Sequence, residues 1–446
     1  MSRTHLLGAA SAAALACLTT ASFAKAPKTP IYGGGSTLAQ FDYIAEFASY
    51  NAASSNKEAT FSTYWEAGSG TGQKAFLNDD LSCDIDHVTG ANGGNCTGAA
   101  GVAGNTVQYG ASDATLNSTQ IATWATSSFG QSAAGNLIQL PSMGVGIAIP
   151  LNDTNVSSNG QVTFSDNDLC GIFSGLITDF SQITDAGTLA HGQFKVVYRS
   201  DSSGTSFLLT NHLSKVCSAA NTKAGVTFSA TTTFASLFPT GITNVIPNAV
   251  DETGSSGIAN YMAGLSSGAV PQAIGYISPD FTTVDPNSFA TLSNGQPSPL
   301  VVAAVFNGKT AELPTVAAIE LALAHPTSGT TLSPPTDAAE GANPNNWVPL
   351  IQTASSGYPI VGYTTFDFAQ CYASPTVTKS VITFLKDHYG LNAPYTTDQS
   401  DNGFVRVSKS GAVKFLQPIE HAILSNKDGW NTDIGDATAC AGLVGR

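Results

Sequence analysis

The stretch VVYRSDSSGTSFLLTNHL, Val196–Leu213, changes its pattern in the middle. An apolar run ending in Arg199 reads as a strand, Asp201-Ser202-Ser203-Gly204 as a turn, and the residues from about Thr205 to Val216 as a helix. A strand, a short turn and a helix together make the α/β unit. The turn also sets a cation and a carboxylate beside a helix start, in a chain with very little charge. That combination suits an anion held by close, desolvated contacts.

The rest of the chain supports the α/β reading. Strands are expected at Leu140–Pro150, Lys195–Tyr198, Ala273–Ile277 and Val301–Phe306, and helices at Leu38–Tyr50 and Thr315–Ala324. Another helix is expected after Ser374, with Pro375 in its first turn, His388 on its apolar face and Gly390 at its end. His388 there reads as a core histidine. Polar, glycine-rich stretches at Asp86–Asn105 and Thr327–Asn346 read as surface loops or insertions. No tandem repeat is found.

Composition narrows the function. Charged residues make up 11% of the 446 residues, and 17 Lys and Arg against 31 Asp and Glu give a net charge of −14. Such a surface repels nucleic acid and anionic membranes, so neither is expected as a partner. It repels a small anion at long range as well, so steering cannot account for an anion site.

The first residues, with Arg3 and His5 before an apolar run to about Leu18, and Ser22-Phe23-Ala24 after it, read as a signal peptide cleaved after Ala24. A membrane anchor is the alternative, although the apolar run is short for one. The residues before Cys17 make a poor lipidation signal. No later run has the length of a transmembrane helix. The six remaining cysteines suit an oxidising compartment and allow fifteen pairings. Sequence order favours Cys83 with Cys96, Cys170 with Cys217, and Cys371 with Cys440. A metal site around CDIDH, Cys83–His87, is the competing reading of the first pair.

Three segments place glycine with serine or threonine just ahead of a helix: GGGSTLAQF (Gly33–Phe41), GSGTGQKAFL (Gly68–Leu77) and SSGTSFLL (Ser202–Leu209). A helix start leaves amide groups without intrahelical partners and carries partial positive charge. Glycine allows close backbone approach, and hydroxyls add donors. Taken singly, each is also an ordinary N-cap. Arg199 beside the third, and Asp113 in VQYGASDATL, turn the set toward an oxyanion that brings its own proton for the carboxylate to accept. The segments lack P-loop spacing, and the chain has no G-x-S-x-G elbow and no H-E-x-x-H. The seven histidines show no metal-ligand spacing, so no metal or cofactor is expected.

With GASDATL, LIQLPSMGVGIAIPLN, LCGIFSGLITDF, VVYRSDSSGTSFLLTNHLSKVC, NNWVPL and GYPIVGYTTFDFAQCY in order, the chain resembles the DING proteins, a group of the phosphate-binding proteins that feed ABC-type phosphate importers. Pro30-Ile31-Tyr32-Gly33 stands where that group has its name-giving tetrapeptide, and Ser36 and Ala39 replace its usual Ala and Pro. The resemblance implies a periplasmic binding protein of type II, two α/β domains hinged like a flytrap with the ligand between them. Residues 25–143 and 278–446 would form domain I and 144–277 domain II. Phosphate would be bound by Thr37, the Leu38 amide, Ser69, Asp113, Arg199, Ser203, Gly204 and Thr205. Arg199 would pair with Asp113 as well as with the ligand. The resemblance supports pairing Cys170 with Cys217 and Cys371 with Cys440. It implies an exported phosphate carrier, periplasmic or secreted and monomeric, delivering to importer membrane subunits. A secreted phosphatase using the same pocket is the alternative, and an adhesion or interaction protein a third.

Overall fold

The computed structural model describes residues 28–53, 59–83, 106–183, 187, 189, 192–266, 272–284, 291–329, 333–392, 398–408 and 414–446. The expected signal peptide, Cys17, the Cys83–Cys96 pair, the CDIDH site and the Asp86–Asn105 stretch lie wholly or partly outside them.

The strands are β1 (Thr29–Gly35), β2 (Ala59–Phe61), β3 (Val107–Ser112), β4 (Leu137–Gly146), β5 (Leu151–Asn152), β6 (Thr163–Phe164), β7 (Lys195–Arg199) and β8 (Ala249–Glu252). They continue with β9 (Ala273–Ile274), β10 (Ala304–Phe306), β11 (Ala311–Glu312), β12 (Pro326–Gly329), β13 (Ile351–Ala354), β14 (Val361–Ala369) and β15 (Val405–Arg406). A six-stranded sheet runs β15-β4-β14-β3-β1-β2, and a four-stranded sheet runs β5-β9-β7-β8. In the first, β1 is parallel to β2 and β3, while β14 is antiparallel to β3 and β4. In the second, β7 is parallel to β8 and β9. This is the mixed α/β architecture expected of a two-domain periplasmic binding protein.

The strand expectations were right in place and off in extent. β4 begins at Leu137 and stops at Gly146, where the chain leaves the first sheet. Residues 147–151 then run beside 275–277 and 301–303, tied by Ala148 N to Ile277 O (2.8 Å), Ile277 N to Ala148 O (3.0 Å) and Ala303 N to Ile149 O (3.0 Å). Where these pairings between the sheets take over, β9 ends at Ile274 and β10 begins only at Ala304, so both are shorter than apolar character alone predicts. The described residues of the Thr327–Asn346 stretch are largely exposed but carry short elements of their own. The stretch begins within β12, which pairs with β13, and Gln139 Nε2 donates to Pro344 O at 3.3 Å.

Strand β14 is buried along its whole length, because helices cover both of its faces. On one face Tyr43, Phe47, Phe366, Phe384 and His388 form an aromatic cluster, with Phe47 and Phe384 centroids 5.0 Å apart. On the helix Pro375–His388, Ser374 accepts from Val377 N, as its capping position predicts. Disulfides join Cys170 to Cys217 and Cys371 to Cys440. Among the described residues, no helix is long and apolar enough to cross a membrane.

Candidate functional site

Four helices begin where parallel strands end, and the four beginnings meet. Strand β1 leads through Ser36–Ala39 into the helix Gln40–Ala53, and the segment after β2 leads into Ser69–Asn78. Strand β7 leads into Gly204–Val216, and β8 into Gly254–Met262. Ligand sites in α/β folds gather at such carboxyl ends. All the predicted residues, Thr37, Leu38, Ser69, Asp113, Arg199, Ser203, Gly204 and Thr205, are buried here.

One wall comes from the six-stranded sheet. Asp113 follows β3 directly, and its carboxylate accepts from Ser36 Oγ (2.6 Å) and Ser69 Oγ (3.2 Å). Ser69 Oγ in turn accepts from Asp113 N at 3.1 Å, and Leu38 N donates to Ser36 Oγ at 3.1 Å. Burial raises the Asp113 carboxyl to about 6, against the lowering effect of the Ser36, Thr364 and Ser69 hydroxyls and the Arg199 charge. Asp113 is therefore mainly ionised at neutral pH, yet close enough to titration to value a proton brought to it.

The other wall comes from the four-stranded sheet. Arg199 closes β7, and its backbone N donates to Tyr276 Oη at 3.0 Å. Its guanidinium does not pair with Asp113. Arg199 Nε donates to Asp201 Oδ1 (2.6 Å) and Nη2 pairs with Asp201 Oδ2. The turn after β7 brings the nearer carboxylate back onto the fork, leaving Nη1 and Nη2 to reach Thr205 Oγ1 (3.3 Å) and Thr37 Oγ1 (2.8 Å). Burial alone would raise the Asp201 carboxyl, but the Arg199 charge, its hydrogen bonds and the Gly254 amide hold it below the usual carboxylate range.

The sequence reading gave Ser36 and Asp201 no role in the site and missed the fourth helix start. The amides of that helix take groups of the protein itself: Gly254 N donates to Asp201 Oδ1 (3.0 Å) and Ser255 N to Thr37 Oγ1 (3.3 Å). The signal was present in ETGSSGIANYM, Glu252–Met262, which has the same glycine and serine construction as the other three. Ser203 is largely committed to its own wall, with its N donating to Thr232 O (2.8 Å) and its Oγ accepting from Ser206 N (3.2 Å).

The walls touch. Gly70 N donates to Ser202 O at 2.9 Å, and Thr37 Oγ1 lies 3.2 Å from Ser255 Oγ. Gly204 lies where the walls approach closely, since a Cβ there would come within 3.0 Å of both Ser69 Oγ and Asp113. Gly33, Gly34 and Gly35 serve another purpose. A Cβ on each would strike the backbone of Tyr109, Trp65 or Ala111, so these glycines let strands and turns pack rather than a ligand approach. Among the described residues, no group of three or more His, Cys, Asp and Glu could hold a metal ion.

Comparison with known proteins points the same way. The PBP superfamily domain matches residues 26–385. The chain is 33% identical over 432 residues to alkaline phosphatase L of Pseudomonas aeruginosa (strain UCBPP-PA14), covering 93% of each protein. It is 35% identical over 385 residues to a phosphate-binding protein of an unknown prokaryotic organism, covering 84% of this chain and 90% of that one. It also matches the structure of PfluDING, a high-affinity periplasmic phosphate-binding protein solved with phosphate bound. The TM-score is 0.70 at 32% identity, over 94% of this chain and 99% of that one.

Proposed function

The chain belongs to the PBP superfamily and, within it, to the DING phosphate-binding proteins, and on that premise we propose that it is an exported receptor that binds inorganic phosphate and hands it to an ABC importer. One observation carries the reading: a buried arginine fork and a buried carboxylate of raised pKa face each other across four helix starts. The donors for phosphate oxygens would be Thr37, the Leu38 amide, Ser69, Arg199 and the start of the helix Gly204–Val216. Phosphate would replace the direct bonds that Arg199, Thr37 and Ser255 make between the walls. Closure would turn where the chain leaves the first sheet, at residues 147–151, with 25–143 in one lobe and 144–277 in the other; Phe281, Leu300, Val302 and β10 would move with the second lobe, since β10 pairs with β6 and the three side chains share a buried cluster with Ile258 and Met262.

Asp113 supplies selectivity. Phosphate near neutral pH keeps at least one proton and donates it to the carboxylate, whereas sulfate has none to give. A buried acceptor left unpaired costs about 1–3 kcal/mol, roughly tenfold to a hundredfold in affinity. Calorimetry with the two anions tests this, and sulfate bound as tightly as phosphate would defeat it.

The relative named alkaline phosphatase L gives a second reading weight, hydrolysis of a phosphoester. Ser69 beside Asp113 is the pair that could act, serine as nucleophile and carboxylate as base. Release of nitrophenol from a chromogenic phosphoester, abolished by Ser69→Ala, would favour it. Protein that retains phosphate and shows no turnover supports the receptor.

A further inference from the structure

Behind Asp113 a chain of buried hydroxyls leads away from the site. Thr364 Oγ1 stands beside the Asp113 carboxyl and is one of the hydroxyls that offset its burial. It lies 3.0 Å from Tyr43 Oη, which donates to Ser142 Oγ at 2.9 Å. Ser142 Oγ lies 2.9 Å from His388 Nε2, and His388 Nδ1 lies 2.6 Å from Glu46 Oε2. Glu46 also accepts from Gln399 Nε2 at 3.1 Å. Every member of the chain is buried, and the side chains of His388 and Glu46 are fully enclosed. Ser142, His388 and Glu46 have the order of a hydrolytic triad, but burial denies them a substrate. On the hydroxyl side Ser142 meets Tyr43, and through it the chain reaches Asp113.

We propose that this chain is a proton wire for phosphate binding: when phosphate presents its own proton to Asp113, any proton already on that carboxyl passes through Thr364, Tyr43 and Ser142 to His388. The inference rests on the reading of Asp113 as the acceptor of the ligand's proton. Before transfer, Asp113 donates to Thr364 Oγ1, Thr364 to Tyr43 Oη, Tyr43 to Ser142 Oγ, and Ser142 to His388 Nε2. In transfer each O–H along the chain breaks and the next atom gains its proton, ending in a new N–H at His388 Nε2. Asp113 becomes a carboxylate and His388 an imidazolium beside the Glu46 carboxylate. The proton count is unchanged, no heavy atom has to move, and every hydroxyl then points back toward Asp113.

The wire has a physical use. A protonated Asp113 would offer the ligand's O–H only a neutral carbonyl oxygen, a weaker acceptor than a carboxylate, and the contact selecting phosphate would weaken. With an internal acceptor, the carboxylate is available at a pH near its own titration without exchange of a proton through the closed walls. The charged and titratable groups facing the chain fit this direction. From the helix Gln40–Ala53 come Glu46, Tyr43 and Asp42, and from the His388 helix come Tyr389 and Asp387. Arg406 of β15 interacts with Glu46, and Tyr64 lies near Asp113. At the Asp113 end stands Arg199, already closed by Asp201.

The test counts protons released on phosphate binding at pH 6, by calorimetry in two buffers of different ionisation enthalpy. The ionisation of phosphate itself contributes equally to every variant. Tyr43→Phe removes one link while keeping the ring packed, and should release more protons per phosphate than the unaltered protein, because the proton leaving the raised Asp113 carboxyl no longer has the internal path to His388. Equal release overturns the wire. A second measurement needs no variant: nitrogen NMR of labelled histidine at pH 6, with the His388 signal assigned by His388→Gln. Phosphate should move that signal from the neutral imidazole toward the imidazolium position, and an unchanged signal overturns the wire as well. Asp113→Asn separates the two readings. If it leaves the preference for phosphate over sulfate intact, the role given to Asp113 fails; if the preference falls while the Tyr43→Phe count stays equal, only the wire fails.

Discussion

The two walls of the site solve opposite problems. The wall from the four-stranded sheet holds a guanidinium that Asp201, two residues on, bonds and orients. The wall from the six-stranded sheet holds an acid that burial pushes up and hydroxyls pull down, so its charge is adjustable. One wall supplies constant attraction for an oxyanion and the other judges whether that oxyanion carries a proton. Affinity and selectivity can therefore be changed separately.

The largest expected effect comes from removing the fixed charge. Arg199→Ala removes the guanidinium that would bond the phosphate oxygens, and losing a buried charged contact in binding costs about 2–5 kcal/mol, so phosphate affinity should fall roughly a hundredfold or more by calorimetry. A drop below tenfold would contradict the division between the walls. Asp113→Asn should act on selectivity, cutting the ratio of phosphate to sulfate affinity roughly tenfold to a hundredfold.

The same change tests the acid's energetics. The folded Asp113 titrates at about 6, above its unfolded value, so its favourable contribution is fully present below about pH 4 and is lost as pH rises through 6. The asparagine variant without phosphate should melt higher than the parent at pH 8, and the gap should shrink toward pH 4. A gap that does not vary with pH would show that burial does not set this carboxyl.

Gly204→Ala holds the walls apart, because its Cβ would press on Ser69 and Asp113. Overpacking of about 1–3 kcal/mol predicts a loss of roughly tenfold to a hundredfold in phosphate affinity, with urea unfolding of the phosphate-free protein nearly unchanged. Ser36→Ala is the gentlest. It removes one donor from Asp113, so the carboxyl should titrate higher and binding should weaken first at the acid end of its pH range, by less than tenfold at neutral pH.

How far the sequence could be read followed from how local each feature is. The change from strand to helix within Lys195–Val216 is written in adjacent residues, and the structure places strand and helix there. Three helix starts could be found in the same way. The pairing of Arg199 was misassigned because resemblance pointed across the cleft to Asp113, while the turn geometry favours Asp201 two residues away. The link from Asp113 to His388 had no linear signal at all. Its members come from positions 43, 142, 364 and 388, and only the packing of two helices on β4 and β14 brings them together. His388 was correctly read as internal, but its partners Glu46 and Ser142 could not be foreseen.

The run Gly33-Gly34-Gly35 has a consequence for how this protein can evolve. Its constraint comes from neighbouring backbone, so selection would keep these three positions even in a descendant that no longer recognised any anion. Persistence of that triplet among distant relatives would therefore trace shared ancestry of the scaffold, whereas inheritance of the ability must be judged at Asp113 and Arg199.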